Sequence, residues 1–223
     1  LKKLEIDEKK YEEKKKEFKK KLLKGVLIAF ACLFSYCLIF VLPFSNMEKK
    51  APKLKKVKET LSTNTKVLDL GCNCGYETRR MKEIGLNPVG LDFSEKSIEL
   101  AKEKNPNIKF VCDDMLNDLT YLGKFNGIVA IASIIHIPEE SLELCFNRIS
   151  DILEKDGYLF MVVRAEVGKL EASYKEINNI SYDREVYGYD KKLMEDKMNN
   201  NFSFVEELIS HDKHWKYFVY KKV

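Results

Sequence analysis

The chain carries few of the patterns that commit a sequence to metal, disulfide or dinucleotide chemistry. Its six cysteines, Cys32, Cys37, Cys72, Cys74, Cys112 and Cys145, show no spacing of a disulfide framework. Cys72-x-Cys74 has no second Cys or His pair near it, and zinc wants about four ligands, so both read as small residues filling a tight turn and no metal is expected. No Gly-Lys-Ser/Thr follows the glycine turn at 71–75, which excludes a P-loop. The dinucleotide fingerprint needs glycine at its first, third and sixth positions, occupied here by Gly71, Asn73 and Tyr76. A tyrosine at the sixth position opposes the close helix–strand packing that a pyrophosphate site requires. Positive charge is also scarce where it would matter for nucleic acid. The chain is +4 overall, but residues 1–24 hold eleven Lys against six acids and residues 45–60 six Lys against two Glu, which leaves 61–223 at −5. A mildly acidic domain offers no broad surface for phosphates, so no nucleic-acid partner is expected.

The most informative stretch present is Lys66-Val67-Leu68-Asp69-Leu70-Gly71-Cys72-Asn73-Cys74-Gly75-Tyr76. It reads as a buried strand, a tight glycine turn and the start of a helix. Gly71 and Gly75 permit positive φ or a close ligand, and the following helix would point free N–H groups at anything bound there. Asp69 sits two residues before the first glycine. Asp92 ends the next apolar run, Pro88-Val89-Gly90-Leu91-Asp92. This layout describes a nucleotide-type cofactor over the carboxyl edge of a parallel sheet.

"VLDLGCNCGY" resembles the first motif of class I S-adenosylmethionine-dependent methyltransferases. Later segments agree in order and spacing: "VGLDFSEKSIELAKEK", "IKFVCDDML", "FNGIVAIASIIHIPEESLELCFNRISDILEKDGYLFMVV", and "FSFVEELIS" with "HWKYFVYKK". The likeness covers roughly residues 60–223. It implies an α/β fold with a doubly wound, mostly parallel seven-stranded sheet, and S-adenosyl-L-methionine as cofactor. It further implies that Asp69 and the Gly71, Asn73 and Gly75 backbone face the cofactor's methionine part, that Asp92 accepts from the ribose hydroxyls, that Phe93 lies against the adenine, and that Asp114 meets the adenine amino group with Met115 beside the ring. Asp113 competes with Asp114 for that role. Two positions depart from the family pattern. Asn73 replaces the middle glycine, although asparagine tolerates a left-handed backbone. Asn126 replaces a common aspartate before the fourth strand, at a position read as structural.

Residues 25–44, GVLIAFACLFSYCLIFVLPF, contain no charge. At ~1.5 Å per residue such a helix could cross a ~30 Å hydrocarbon core, and no cleavage pattern follows it. The expected organisation is a Lys/Glu-rich arm (1–24), a transmembrane helix (25–44), a basic linker and short helix (45–60) and a methyltransferase domain (61–223). Lysines flank the run on both sides, so charge counting settles orientation poorly. Supply of the cofactor from the cytosol places the domain on that side. Met47 stands just before the enzyme-like region; were residues 1–46 not part of the natural product, the expectation becomes a cytoplasmic enzyme.

Alternating patterns place strands near 66–70, 88–92, 108–112, 126–132 and 157–164, with helices near 53–61, 76–84, 95–104 and 139–154. A helix near 190–200 and two strands, about 202–209 and 214–221, close the chain. Residues 165–189 show little periodicity, hold Tyr174, Tyr182 and Tyr187, and follow a strand at the functional edge, so they are expected to cover a substrate or form a plain insertion. Methyl transfer is an in-line displacement in which the protein mainly positions two reactants. A base helps if the nucleophile must lose a proton, and His136, after the fourth strand, is the residue for it or a structural histidine. Arg164 could bind an anion or form a surface ion pair. The expected acceptor is a small or lipid-like molecule. Two other classes stay open on residues alone: a membrane-tethered, catalytically weak interaction module, and a nicotinamide-dependent reductase.

Overall fold

The computed structural model describes residues 53–170, 176–177, 180–181, 185–210 and 213–223. The arm, the apolar run and residues 45–52 of the linker lie outside them, as do Tyr174 and Tyr182. Among the described residues no helix is long and apolar enough to cross a membrane.

A short helix α1 (Lys53–Thr60) precedes the alternating series β1 (Lys66–Leu70), α2 (Tyr76–Glu83), β2 (Asn87–Asp92), α3 (Glu95–Lys104), β3 (Lys109–Cys112), β4 (Phe125–Ile131), α4 (Glu139–Ile152) and β5 (Leu153–Arg164). Then come β6 (Gly168–Leu170), β7 (Glu176–Ile177), β8 (Ile180–Ser181), β9 (Val186–Gly188), α5 (Lys191–Lys197), β10 (Phe202–Ile209) and β11 (Trp215–Lys222). The main sheet runs β10-β11-β5-β4-β1-β2-β3. Its β3-β2-β1-β4-β5 part is parallel, and β11 and β10 close it antiparallel. The expected seven strands are therefore present in one doubly wound sheet.

Alternation along each strand divides the core between two faces. Val67, Val129, Phe160 and Val219 pack with Leu54 and Val57 of α1 and Met81 of α2. Their neighbours Leu68, Ile128, Leu159, Met161, Phe218 and Tyr220 pack with Leu142, Cys145, Phe146 and Ile149 of α4 and Met194 of α5. Helix ends follow local chemistry. Ser94 Oγ accepts from Ser97 N–H to start α3, and Asp190 Oδ1 accepts from Leu193 N–H to start α5. Gly85, at φ +94°, ends α2 with Gly85 N–H on Lys82 O and Leu86 N–H on Met81 O, the paired bonds of a Schellman motif.

Two expectations need correction. The sheet has nine strands, because β9 pairs with the tip of β5 at Arg164↔Gly188 and β6 pairs with β9. Strands of three residues leave no readable periodicity, so residues 165–189 looked irregular. Strand β5 also starts at Leu153, not 157. Leu153 pairs with Phe125 and Tyr158 with Gly127, so Glu154–Gly157 bulge out between them. Asp156 takes φ 64° in that bulge.

Candidate functional site

The carboxyl ends of β1, β2, β3 and β4 meet around the 71–75 turn. Gly71, Asn73 and Gly75 adopt φ of +80°, 49° and +76°. Asparagine thus takes the left-handed conformation that its place in the motif demands, and its own Oδ1 accepts from Cys74 N–H at 2.7 Å. The two glycines are required twice over. A Cβ on Gly71 would lie 2.4 Å from Ser133 Cβ, and one on Gly75 2.7 Å from the Phe110 ring.

The turn uses its own donors. Gly71 N–H and Cys72 N–H both donate to Leu91 O, at 2.8 and 2.9 Å, and Gly75 N–H donates to Cys72 O at 3.0 Å. Asn73 N–H donates to Asp92 Oδ2 at 2.9 Å. With Cys74 N–H on Asn73 Oδ1, all five N–H groups from 71 to 75 have acceptors inside the chain. The expectation of free N–H groups falls on the start of α2, just beyond these five, and not on the turn itself. Sequence shows where a glycine turn is, not where its amides point.

Asp92 is 9% exposed and holds the turn to the end of β2, since its Oδ1 also accepts from Ser94 N–H at 2.9 Å. A carboxylate has about four acceptor positions, so these two bonds leave capacity for hydroxyl donors. Asp69 is buried beneath the turn, with Thr78 Oγ1 donating to its Oδ2 at 2.5 Å. Burial first, then the charges of Asp69 and Asp92, push the Cys72 thiol strongly up. That thiol is therefore a neutral packing group.

Phe93 is 70% exposed, an apolar ring presented at the end of β2. The structure separates the two adjacent acids after β3. Asp113 is committed to its loop: it accepts from Tyr121 OH at 2.5 Å, Asn117 Nδ2 at 2.8 Å and Asp114 N–H at 2.8 Å. These bonds, led by that of Tyr121, hold its carboxyl below the usual carboxylate range. Asp114 is exposed, and its Oδ1 accepts from Leu116 N–H at 2.9 Å. Met115 beside it is half-buried.

Beyond β4, a single 3-10 turn, Ile134–His136, carries the half-buried His136. Its Nδ1 lies 2.8 Å from Glu185 O. A carbonyl only accepts, so Nδ1 carries a proton and donates it there. Glu185 leads into β9, and its carboxylate binds Lys169 Nζ and Tyr187 OH. Arg164 forms an ion pair with Glu166 at 2.8 Å and lies over the Trp215 ring, so it serves an internal contact. His214 Nδ1 approaches the same Glu166 oxygen at 3.3 Å. Three residues of this neighbourhood gave no signal in the sequence: Thr78, Glu185 and Ser133. Ser133 lay within a quoted motif, but nothing in the motif pointed to its side chain. Among the described residues no group of His, Cys, Asp and Glu is arranged to hold a metal.

Residues 67–157 match the family model described as a methyltransferase domain. A methyltransferase domain of the class I S-adenosylmethionine-dependent type is therefore present in this chain. Over 117 residues it is 32% identical to a ubiquinone biosynthesis O-methyltransferase of Pelagibacter ubique, covering 50% of this chain and 45% of that protein. Over 88 residues it is 30% identical to a 2-methyl-6-phytyl-1,4-hydroquinone methyltransferase of Synechocystis, covering 38% and 28% of the two chains. The chain spans about half the length of the first of these and less of the second. In fold it is similar to an S-adenosylmethionine-dependent methyltransferase from Clostridium acetobutylicum, with a TM-score of 0.67, 13% identity, and coverage of 87% and 99% of the two chains. That methyltransferase fold spans the described domain, beyond the residues that the family model matches.

Proposed function

We propose that this domain transfers a methyl group from S-adenosylmethionine to a small-molecule acceptor. The satisfied 71–75 turn carries the proposal. A dinucleotide's diphosphate needs amide donors at this place, whereas these five amides are engaged and two acids lie beneath or beside them. That environment favours the cation of a sulfonium and an amino-acid ammonium. When bound, S-adenosylmethionine supplies an electrophilic methyl group. Asp92 accepts from the ribose hydroxyls, Phe93 and Met115 flank the adenine, Asp114 accepts from its amino group, and Asp69 adds negative charge under the methionine end. His136, through Nε2, takes the proton from a protonated acceptor. Asn73 was the one motif feature that favoured a catalytically weak interaction module, and its left-handed backbone leaves the turn intact.

The uncharged run at 25–44 supports a lipid-like acceptor reached at a membrane, with the domain on the cytosolic side. The two quinone-related relatives are in keeping with this. Retention of the full chain in membranes washed at alkaline pH would support the anchor, and release would remove it.

Calorimetric titration of the full chain with S-adenosylmethionine, with NADH as control, tests the cofactor. Saturable binding of the first alone, lost in Asp92→Ala, is expected. Binding of NADH, or of neither by a folded chain, would overturn the assignment.

A further inference from the structure

Ser133 follows β4 and leads the 3-10 turn that carries His136. It is 7% exposed, and its Oγ is buried with no hydrogen-bond partner among the described residues. Its own turn does not use the hydroxyl: His136 N–H donates to Ser133 O at 3.1 Å, and no side-chain cap forms. The hydroxyl instead lies against the glycine turn, 3.2 Å from where a Cβ on Gly71 would be. A buried hydroxyl without a partner carries a desolvation penalty, and native proteins hold few such groups without a reason.

We propose that Ser133 Oγ–H donates to the α-carboxylate at the methionyl end of the bound cofactor. This rests on the cofactor assignment. The carboxylate is anionic and needs donors, and the five amides that surround the turn are already engaged. Asp69 and Asp92 can attract the neighbouring ammonium but offer a carboxylate nothing. Ser133 is the buried donor at this junction of β1 and β4 that lacks a protein acceptor. It acts as a specificity-determining contact, reading the amino-acid part of the cofactor rather than its nucleoside.

The test compares Ser133→Ala with the wild-type full chain by calorimetry against three probes. S-adenosylhomocysteine carries the carboxylate, decarboxylated S-adenosylmethionine lacks it, and methylthioadenosine lacks the whole amino-acid part. A bond to a charged group predicts about ten-fold weaker binding of S-adenosylhomocysteine by the variant, with affinity for the other two within about two-fold. The apo variant should melt no lower than wild type, because the substitution removes an unsatisfied group. Equal weakening for all three probes, unchanged affinity for S-adenosylhomocysteine, or a markedly lower apo melting temperature would overturn the proposal. Failure of the wild-type chain to bind S-adenosylhomocysteine would sink the cofactor assignment itself.

Discussion

Gly75 offers a test of how tightly the turn is packed. The perturbation is Gly75→Ala, with Gly85→Ala as its reference. Both glycines are left-handed, at φ +76° and +94°, so each alanine pays a backbone strain of about 1–2 kcal/mol. Both also gain about 0.4–1 kcal/mol from a stiffer unfolded chain. The difference lies in the surroundings. At Gly85 the added carbon meets only the Thr63 side chain, with Cγ2 at 3.4 Å and Cβ at 3.9 Å. At Gly75 it would lie 2.7 and 2.8 Å from two Phe110 ring carbons and 3.1 Å from Asn105 Nδ2. The ring has little room to retreat. It is 5% exposed, and a Cβ on Gly90 would already lie 2.5 Å from it, so it is wedged between two glycines. Overpacking of this kind costs about 1–3 kcal/mol. Urea unfolding should therefore show Gly85→Ala destabilised by about 1 kcal/mol and Gly75→Ala by about 2–4 kcal/mol. Affinity for S-adenosylmethionine should fall in Gly75→Ala alone. Destabilisation of the two variants within about 0.5 kcal/mol of each other, the scatter of independent sites, would refute the close approach.

Further outcomes follow from the same geometry. Asp92→Asn should weaken S-adenosylmethionine about 100-fold, the loss of two hydrogen bonds to a charged group at about 1.5 kcal/mol each, and calorimetry reads this directly. Asn73→Gly should leave stability within about 0.5 kcal/mol, since the backbone gains what the side chain loses. Asn73→Ala loses the Cys74 contact while keeping the strain, and should cost about 1–2 kcal/mol in urea titration. The Asp113 carboxyl is held below its ordinary value of 3.8, chiefly by Tyr121 OH. Its depressed value means a contribution present above pH 3.8 and lost as pH falls through the folded value. Tyr121→Phe should then lose less stability between about pH 6 and pH 3 than wild type does, measured as the difference in urea midpoints; an equal loss would count against the contact.

Elements with a long apolar signal were legible in the sequence. Val67, Leu68 and Leu70 marked β1, and the repeat through Leu142, Cys145, Phe146 and Ile149 marked α4, because burial on a sheet face demands those periods. The glycine turn and Asp92 were legible because a left-handed backbone and a buried acid each restrict residue choice. What stayed hidden depends on individual contacts. That Asp113 is engaged within its own loop depends on Asn117 and Tyr121, which lie four and eight residues further on. The Nδ1 contact of His136 rests on the main chain of Glu185, and a backbone carbonyl leaves no trace in residue identity. The orphaned hydroxyl of Ser133 depends on β4 ending beside Gly71, a matter of strand order.

The pairing of Arg164 with Gly188 has a consequence for diversification. It brings the two ends of the intervening segment together on one edge of the sheet, as a socket holds the pins of a plug. What lies between them can lengthen at little thermodynamic cost, since each doubling of a loop adds only about 0.6 kcal/mol of closure entropy. The residues between β6 and β9 can therefore be exchanged as a cassette, provided that Glu185, which holds His136, and Val186 and Tyr187, which pack on the core, are kept. Related enzymes could acquire new acceptors by replacing that cassette, and a designer could do the same by grafting between β6 and β9.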